Sequence, residues 1–388
     1  MIDPEKKLNI LLLASWYPNR IEPQNGNFIQ RHAEAVSKNC KVACLHVLSV
    51  QGIKGFEIDA RWVNNVFEVL VYFEKTVSYL PLRKFNNYLK AQDLGYQSII
   101  KEIGSIDLVH LNVFFPAGIF ALRLKKKYRL PFIVTEHWTA FLNINPYQFN
   151  WLEQYYIRKI AAAASMICPV SEDLKNAIKD FGISGPFKVI PNVVDTTLFQ
   201  VRQQKEFSIK KILHVSTLND QHKNVSGILS VVARLMKERE DFKLRLVGNK
   251  FGDDMLTYAR QLEIPDNILE IREEIPLEDI AQIMQEDHIF VLFSNYENLP
   301  CVISEAHASG MVVIATDVGG VREMIDADNG VLIKAKAEDE LYEQLNQVMD
   351  RIAEYDIKEI SKQAVERYSY QSVADQYLAV YKEALGKL

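Results

Sequence analysis

The first half of the chain carries short, mostly apolar runs at Leu8–Ala14, Val42–Val50, Val66–Phe73, Leu108–Val113, Phe132–Thr135, Met166–Val170 and Lys188–Ile190. Between several of them lie longer stretches whose apolar positions recur every three or four residues, as in Asn27–Ser37 and Leu152–Ala164. The runs predict strands buried on both faces, and the periodic stretches predict helices that cover them. Together they predict an α/β fold with a parallel, doubly wound sheet. A polar, turn-rich passage, VIPNVVDTTLFQVRQQKEFS, interrupts this rhythm. It then restarts at Ile212–Val215, Leu244–Val247, Ile268–Ile271, His288–Phe293, Val312–Thr316 and Gly330–Ile333. The pattern predicts two Rossmann-like domains, residues 1–200 and 201–366, joined near residues 199–209. A closing helix, residues 367–388, is expected to cross back onto the first domain around Ser372–Tyr381.

A chain of 388 residues can bury two such cores. The net charge of −5 lacks the basic excess of a dedicated nucleic-acid binder. The apolar run Leu8–Ala14 is short and leads into no small-residue cleavage site, so it reads as a strand rather than a signal peptide. No uncharged run elsewhere approaches the roughly 20 residues needed to cross a bilayer. Of the four cysteines, Cys40, Cys44, Cys168 and Cys301, three sit in strand-like surroundings. A reducing cytoplasm suits buried free thiols, with peripheral attachment to the inner face of the membrane as the alternative to a fully soluble state. Cys40 and Cys44 have no second pair at metal-ligand spacing. Asp326-Ala-Asp328, in IDADNGVLIK, reads as a turn before a strand rather than a metal motif, and no metal or other cofactor is expected.

Ligands of open parallel sheets collect beyond the carboxyl ends of the strands, and two such sheets facing each other are expected to leave a deep cleft between domains. Glu297 and Glu305 fall just past the run His288–Phe293, eight positions apart in YENLPCVISEAHASG. An isolated pair at this spacing is ordinarily two solvated charges beside a helix start. Here Pro300 suits the start of a helix that Gly310 stops, which places Glu305 about one and a half turns in. The backbone around Asn298, Leu299, Pro300 and Cys301 then presents a helix N-terminus to an anion, while the glutamates accept hydrogen bonds from hydroxyls. A phosphorylated sugar carries both groups.

The E-x7-E spacing, the preceding strand and the continuation EAHASGMVVIATDVGGVREMI resemble the retaining glycosyltransferases of family 4. So do NGNFIQRHAEAV, TEHWTAF, VSEDLK, VIPNVVDTTLF, ILHVSTLNDQHKNVSGIL, LRLVG and YSYQSVADQYLAVY, in the same order along nearly the whole chain. The resemblance implies the GT-B architecture of two facing Rossmann-like domains. It also implies that Glu305 accepts hydrogen bonds from the nucleotide ribose and that Glu297 lies beside the donor sugar. Lys223 would neutralise the departing diphosphate, and Gly26 would let backbone approach the donor. His137 would lie near the sugar, with Glu297 as the second catalytic candidate. Arg272, after the run Ile268–Ile271, joins the donor-binding set. Where the family usually carries an arginine after the first strand of the second domain, this chain has Thr217, which supplies no cation.

The aromatic stretch Trp138–Tyr156 either stacks on an acceptor sugar or packs under a loop. The basic clusters Leu80–Phe85 and Leu122–Arg129 are either solvated faces or contacts to anionic lipid. The expected activity is transfer of a hexosyl residue from a nucleotide diphosphate sugar, a UDP-sugar by expectation, to a glycan or lipid-linked acceptor in cell-envelope polysaccharide synthesis. A nucleotide-sugar epimerase of the same architecture and a non-catalytic sugar-binding subunit are the alternatives.

Overall fold

In the computed structural model, the described residues are 7–75, 81–142, 145, 147–201, 207–248, 253–273 and 275–386. They form two units, one of residues 1–193 with 370–388, the other of residues 194–369. By this division the expected junction at 199–209 lies within the second unit. Val193 is buried in the first core, whereas Val194 bonds through its amide to the Tyr368 carbonyl (2.9 Å).

The first unit is built on seven strands: β1 (Asn9–Ala14), β2 (Lys41–Val50), β3 (Phe56–Val63), β4 (Val66–Glu74), β5 (Leu108–Asn112), β6 (Phe132–Glu136) and β7 (Met166–Pro169). They lie in the order β3-β4-β2-β1-β5-β6-β7. All neighbours are parallel except β3 and β4, which form a hairpin. Every residue of β1 and β5 is buried, as strands covered on both faces require.

Strand β3 is absent from the apolar pattern for a physical reason. It is a sheet edge, and its sequence FEIDARWV has no fully buried residue. Its turn is nevertheless legible: Asn64 and Asn65 adopt φ of 46° and 65°, the left-handed pair of a tight type I′ hairpin, which asparagine tolerates. The expected strand Lys188–Ile190 is not a strand. The segment runs beside β7, with the Lys188 amide on the Ile167 carbonyl (3.0 Å) and the Ile190 amide on that of Pro169 (3.1 Å). Pro186 and Pro191, which bracket it, have no N–H to extend these bonds into a longer ladder.

Helix Tyr370–Ala384 buries Val373, Tyr377, Val380 and Tyr381 in the core of this first unit. Against it lies helix Asn27–Ser37. The contact is fixed by Tyr370 Oη on Glu34 (2.7 Å), Asn39 on Asp375 (2.8 Å) and Tyr377 Oη on His32 Nδ1 (3.2 Å).

The second unit has six parallel strands: β8 (Lys210–Ser216), β9 (Phe242–Gly248), β10 (Leu269–Glu273), β11 (Ile289–Leu292), β12 (Val312–Thr316) and β13 (Gly330–Ile333). Their order is β10-β9-β8-β11-β12-β13. In chain order that is 3-2-1-4-5-6, and the parallel strands of the first unit repeat it. Each sheet therefore has one point where winding reverses, between β1 and β5 and between β8 and β11, and ligands of such folds bind outside the strands there. Among the described residues no helix is long and apolar enough to cross a membrane.

Candidate active site

In the second unit the reversal point is occupied by an ion pair. Strand β8 ends at Ser216, and a short helix, Asp220–Lys223, follows it. Strand β11 ends at Leu292, and its loop delivers Glu297 to the same place: Lys223 Nζ lies 2.5 Å from Glu297 Oε1. Both side chains are nearly buried, 12% and 8% exposed, which marks the pair as built rather than solvated. Ser294 Oγ donates to the same carboxylate oxygen at 2.7 Å. Ser294 is in turn tied to β12, its carbonyl accepting from Thr316 Oγ1 (2.6 Å). His222 donates from Nε2 to the Tyr296 carbonyl (2.7 Å) and stacks on the Tyr296 ring at 4.1 Å.

The loop after β8 is braced from within the sheet. His214 is fully buried, and burial holds its pKa down to about 4, so the ring is neutral. Its Nδ1–H donates to the Val291 carbonyl (2.8 Å), leaving Nε2 to accept from Ser216 Oγ (2.8 Å). Ser216 Oγ accepts from the Leu218 amide (2.9 Å), which fixes Leu218 at φ 55°. Thr217 lies exposed on this loop.

Beyond Glu297, Pro300 caps helix Cys301–Ala308, in which Glu305 is buried. Asn298 and Leu299 are also buried, while Pro300 and Cys301 are half-buried. Gly319, after β12, has φ 53°, and a Cβ there would sit 2.1 Å from the Glu297 carbonyl oxygen. The Gly320 amide donates to the Asn298 carbonyl (2.8 Å). The pair Gly319-Gly320 is thus the mould against which the glutamate loop is pressed. In the sequence the pair stands out only as two adjacent glycines in the loop after a strand.

Arg272 stands apart from this cluster. It lies on the edge strand β10, with β9 and β8 between it and β11, and its guanidinium bonds Glu270 (2.5 Å). Asp326 and Asp328 form a turn, the Asp328 amide donating to Asp326 Oδ1 (3.0 Å).

In the first unit the reversal point gathers Gly26, Asn112 and His137. Gly26 adopts φ 69° at the start of helix Asn27–Ser37, and an added Cβ would lie 2.5 Å from the Trp16 carbonyl carbon. Because the obstacle is backbone, it cannot swing aside. Gly26→Ala is expected to cost about 1–3 kcal/mol, read as a lowered urea midpoint, and an unchanged midpoint would refute this placement.

His137 follows β6. Its Nε2 lies 3.3 Å from Asn112 Oδ1, and its ring packs against Phe28 (4.8 Å) and His32 (5.2 Å). Burial, reinforced by the nearby rings of His32 and His110, drives its pKa well down, so His137 is a neutral hydrogen-bonding group. Its backbone is anchored by Glu136, whose carboxylate accepts from the amides of Phe114 (2.9 Å), His137 (2.9 Å) and Trp138 (2.8 Å). Burial nonetheless pushes the Glu136 pKa up to about 7. Val113 is held at φ 68°, a strained conformation for a β-branched residue, its N–H donating to the Thr135 carbonyl (2.8 Å).

Behind His137 runs a buried chain: His32, Tyr377, Thr135, His110 and Tyr381, with successive contacts of 3.2, 2.9, 2.7 and 2.7 Å. These residues resemble ordinary core positions in the sequence. Of the aromatic stretch, Trp138, Phe141, Tyr147 and Phe149 pack in tilted and edge-to-face contacts on one another and on Phe181, whereas Trp151 is 78% exposed. In the basic clusters, Arg123 pairs with Asp93 and Arg83 approaches Glu74; Leu80 lies outside the described residues.

Comparisons with known proteins bear on the family and the fold. Residues 199–364 match the family described as Glycosyl transferases group 1, and residues 48–198 match Glycosyltransferase Family 4. A relative, the MMP alpha-(1->4)-mannosyltransferase of Mycolicibacterium hassiacum, is 27% identical over 310 residues, covering 74% of this chain and 72% of its own. The solved sucrose-phosphate synthase of Thermosynechococcus elongatus matches with a TM-score of 0.75 and 15% identity, over 98% of this chain and 100% of its own. HepE of Anabaena, solved with UDP and glucose, matches with a TM-score of 0.69 and 18% identity, over 96% and 99%. At these identities the structural likeness establishes the fold, a pair of Rossmann-like α/β units of the GT-B type.

Proposed function

This chain belongs to the family 4 glycosyltransferases, and from that premise we propose that it moves a hexosyl residue from a UDP-sugar to a hydroxyl of a glycan or lipid-linked acceptor, with retention at the anomeric carbon. Enzymes of this kind bind a nucleotide-sugar donor and a glycan acceptor, and UDP is the nucleotide in the solved HepE complex. The observation that carries the reading is the nearly buried Lys223–Glu297 pair at the reversal point of the second sheet.

In the proposed reaction the bond from the anomeric carbon to the diphosphate breaks, a bond from the acceptor oxygen to that carbon forms on the same face, and the acceptor proton leaves with the diphosphate. Lys223 and the backbone at the start of helix Cys301–Ala308 stabilise the charge gathering on the leaving group. Glu297 faces the positive charge developing on the sugar. Two donors, Lys223 and Ser294, already engage its Oε1, which lowers its nucleophilicity and favours electrostatic stabilisation over covalent attack. Glu305 takes the ribose hydroxyls. His137, neutral and fixed by Asn112, is assigned to a sugar hydroxyl. No metal is assigned to this chemistry. A role in cell-envelope polysaccharide synthesis, carried out on the cytoplasmic side with peripheral attachment to the membrane, completes the proposal.

The test begins with UDP binding. Glu305→Ala removes charged hydrogen-bond acceptors worth about 1.5–3 kcal/mol, so UDP affinity is expected to fall roughly 10- to 100-fold, measured by calorimetry. Unchanged affinity would remove the ribose assignment. Incubation with a UDP-sugar alone, followed by NMR, is expected to show no new epimer.

A further inference from the structure

Lys223 is a cation already in use. Its charge is cancelled by Glu297 at 2.5 Å, and Glu305 adds a further acid within the same short segment. Thr217, on the loop after β8, adds nothing positive. A diphosphate brings at least two negative charges to this place, where among the described residues Lys223 is already paired with Glu297. Beside Lys223 sits His222, 28% exposed, with Nε2 3.9 Å from Glu297 Oε1. Its Nε2 must carry hydrogen, because its partner is the Tyr296 carbonyl. The other nitrogen, Nδ1, is therefore a bare lone pair in the neutral ring, and a lone pair repels a phosphate oxygen.

We propose that His222 is a donor-binding residue that takes up one proton at Nδ1 when the nucleotide diphosphate binds, supplying a cation beside Lys223. The proposal rests on the placement of the diphosphate at Lys223. The proton comes from solvent: neutral imidazole, diphosphate and one proton give an imidazolium–diphosphate pair. The charged groups acting on the ring are Lys223 on its own helix and Glu297 on the loop after β11, with the Tyr296 carbonyl bonded to Nε2; Asp220 shares the helix, and on β8 His214 is neutral. Asp220 is engaged by the Ser226 amide and hydroxyl, and Lys223 is held by Glu297. Without ligand, burial and then Lys223 depress the His222 pKa. An incoming dianion reverses that bias, since an opposite charge within a few ångströms favours the charged form.

Calorimetric titration with UDP tests this between pH 7 and 8.5, above the terminal phosphate ionisation at about 6. Buffers of differing ionisation enthalpy report the protons exchanged. Wild type is expected to take up about 0.5–1 proton per UDP, with affinity falling up to about tenfold per pH unit. His222→Gln is expected to abolish both the uptake and the slope. His222→Arg is expected to bind independently of pH and more tightly than wild type at pH 8.5. Binding by wild type without proton uptake, or a slope that survives in His222→Gln, overturns the inference while leaving the diphosphate site intact if Lys223→Ala still weakens UDP. No UDP binding by wild type removes the site and the inference together.

Discussion

Replacing Glu297 with glutamine is expected to lower kcat by about 10²–10³, the range found when one preorganised electrostatic group is removed from a transition state. The substitution keeps size and an acceptor for Ser294 but deletes the charge facing the developing positive centre. It also releases Lys223 from its partner. A freed ammonium group binds diphosphate at least as well as before, so the donor KM is expected to stay constant or fall while kcat collapses. That split identifies a group acting in the transition state rather than in ground-state binding. Steady-state kinetics with saturating acceptor make the measurement. Wild-type kcat in the variant, or a rise in donor KM with kcat preserved, contradicts the role given to Glu297.

Acid is expected to unfold the protein well before its carboxylates are titrated. Seven of the eight histidines have pKa values lowered from 6.5, principally by burial. His32 and His110 in the first unit fall to about 3, and His214 and His307 in the second to about 4. Between those values and 6.5 the unfolded chain binds protons that the folded chain refuses. Stability is therefore fully present above pH 6.5 and is lost as pH falls. Each such histidine contributes about 1.4 kcal/mol per pH unit, so any two of them in one unit give a slope of roughly 3 kcal/mol per pH unit.

Against stabilities of about 5–15 kcal/mol this is decisive within a few pH units. Glu136 opposes it in the first unit: with a folded pKa of about 7 against 4.5, it stabilises progressively as pH falls through that interval. One carboxyl does not offset four buried histidines. Urea midpoints measured from pH 8 to 5 are expected to drop steeply below 6.5, with net proton uptake on unfolding. A flat profile across that range would show that the rings are not buried in neutral form.

The strands were legible wherever both faces are buried, because continuous apolar runs have few other uses. Strand β3 escaped because half-exposed FEIDARWV earns no such signature, and Lys188–Ile190 misled because prolines on both sides stop its two bonds to β7 from extending into a strand. What no local pattern contains is strand order. Lys223 and Glu297 meet only because β8 and β11 are neighbours across intervening strands that lie elsewhere, while Arg272, equally suited by composition and loop position, is carried to the sheet edge by β10. The same blindness hid Ser294, His222 and the glycine pair after β12, whose parts are ordinary until the sheet assembles them. Family resemblance supplied the two glutamates and the lysine. It could not show that two of them neutralise each other.

The closing helix Tyr370–Ala384 belongs to the core that the chain begins, not to the unit it has just completed. During synthesis the earlier strands must therefore wait, with the cleft between helix Asn27–Ser37 and the sheet unfilled, until Tyr377 and Tyr381 leave the ribosome. The second unit, contiguous in the chain, can finish first, so the part translated first is the part matured last. Nascent chains stalled before residue 370 should accordingly expose apolar surface that a chaperone would need to shield.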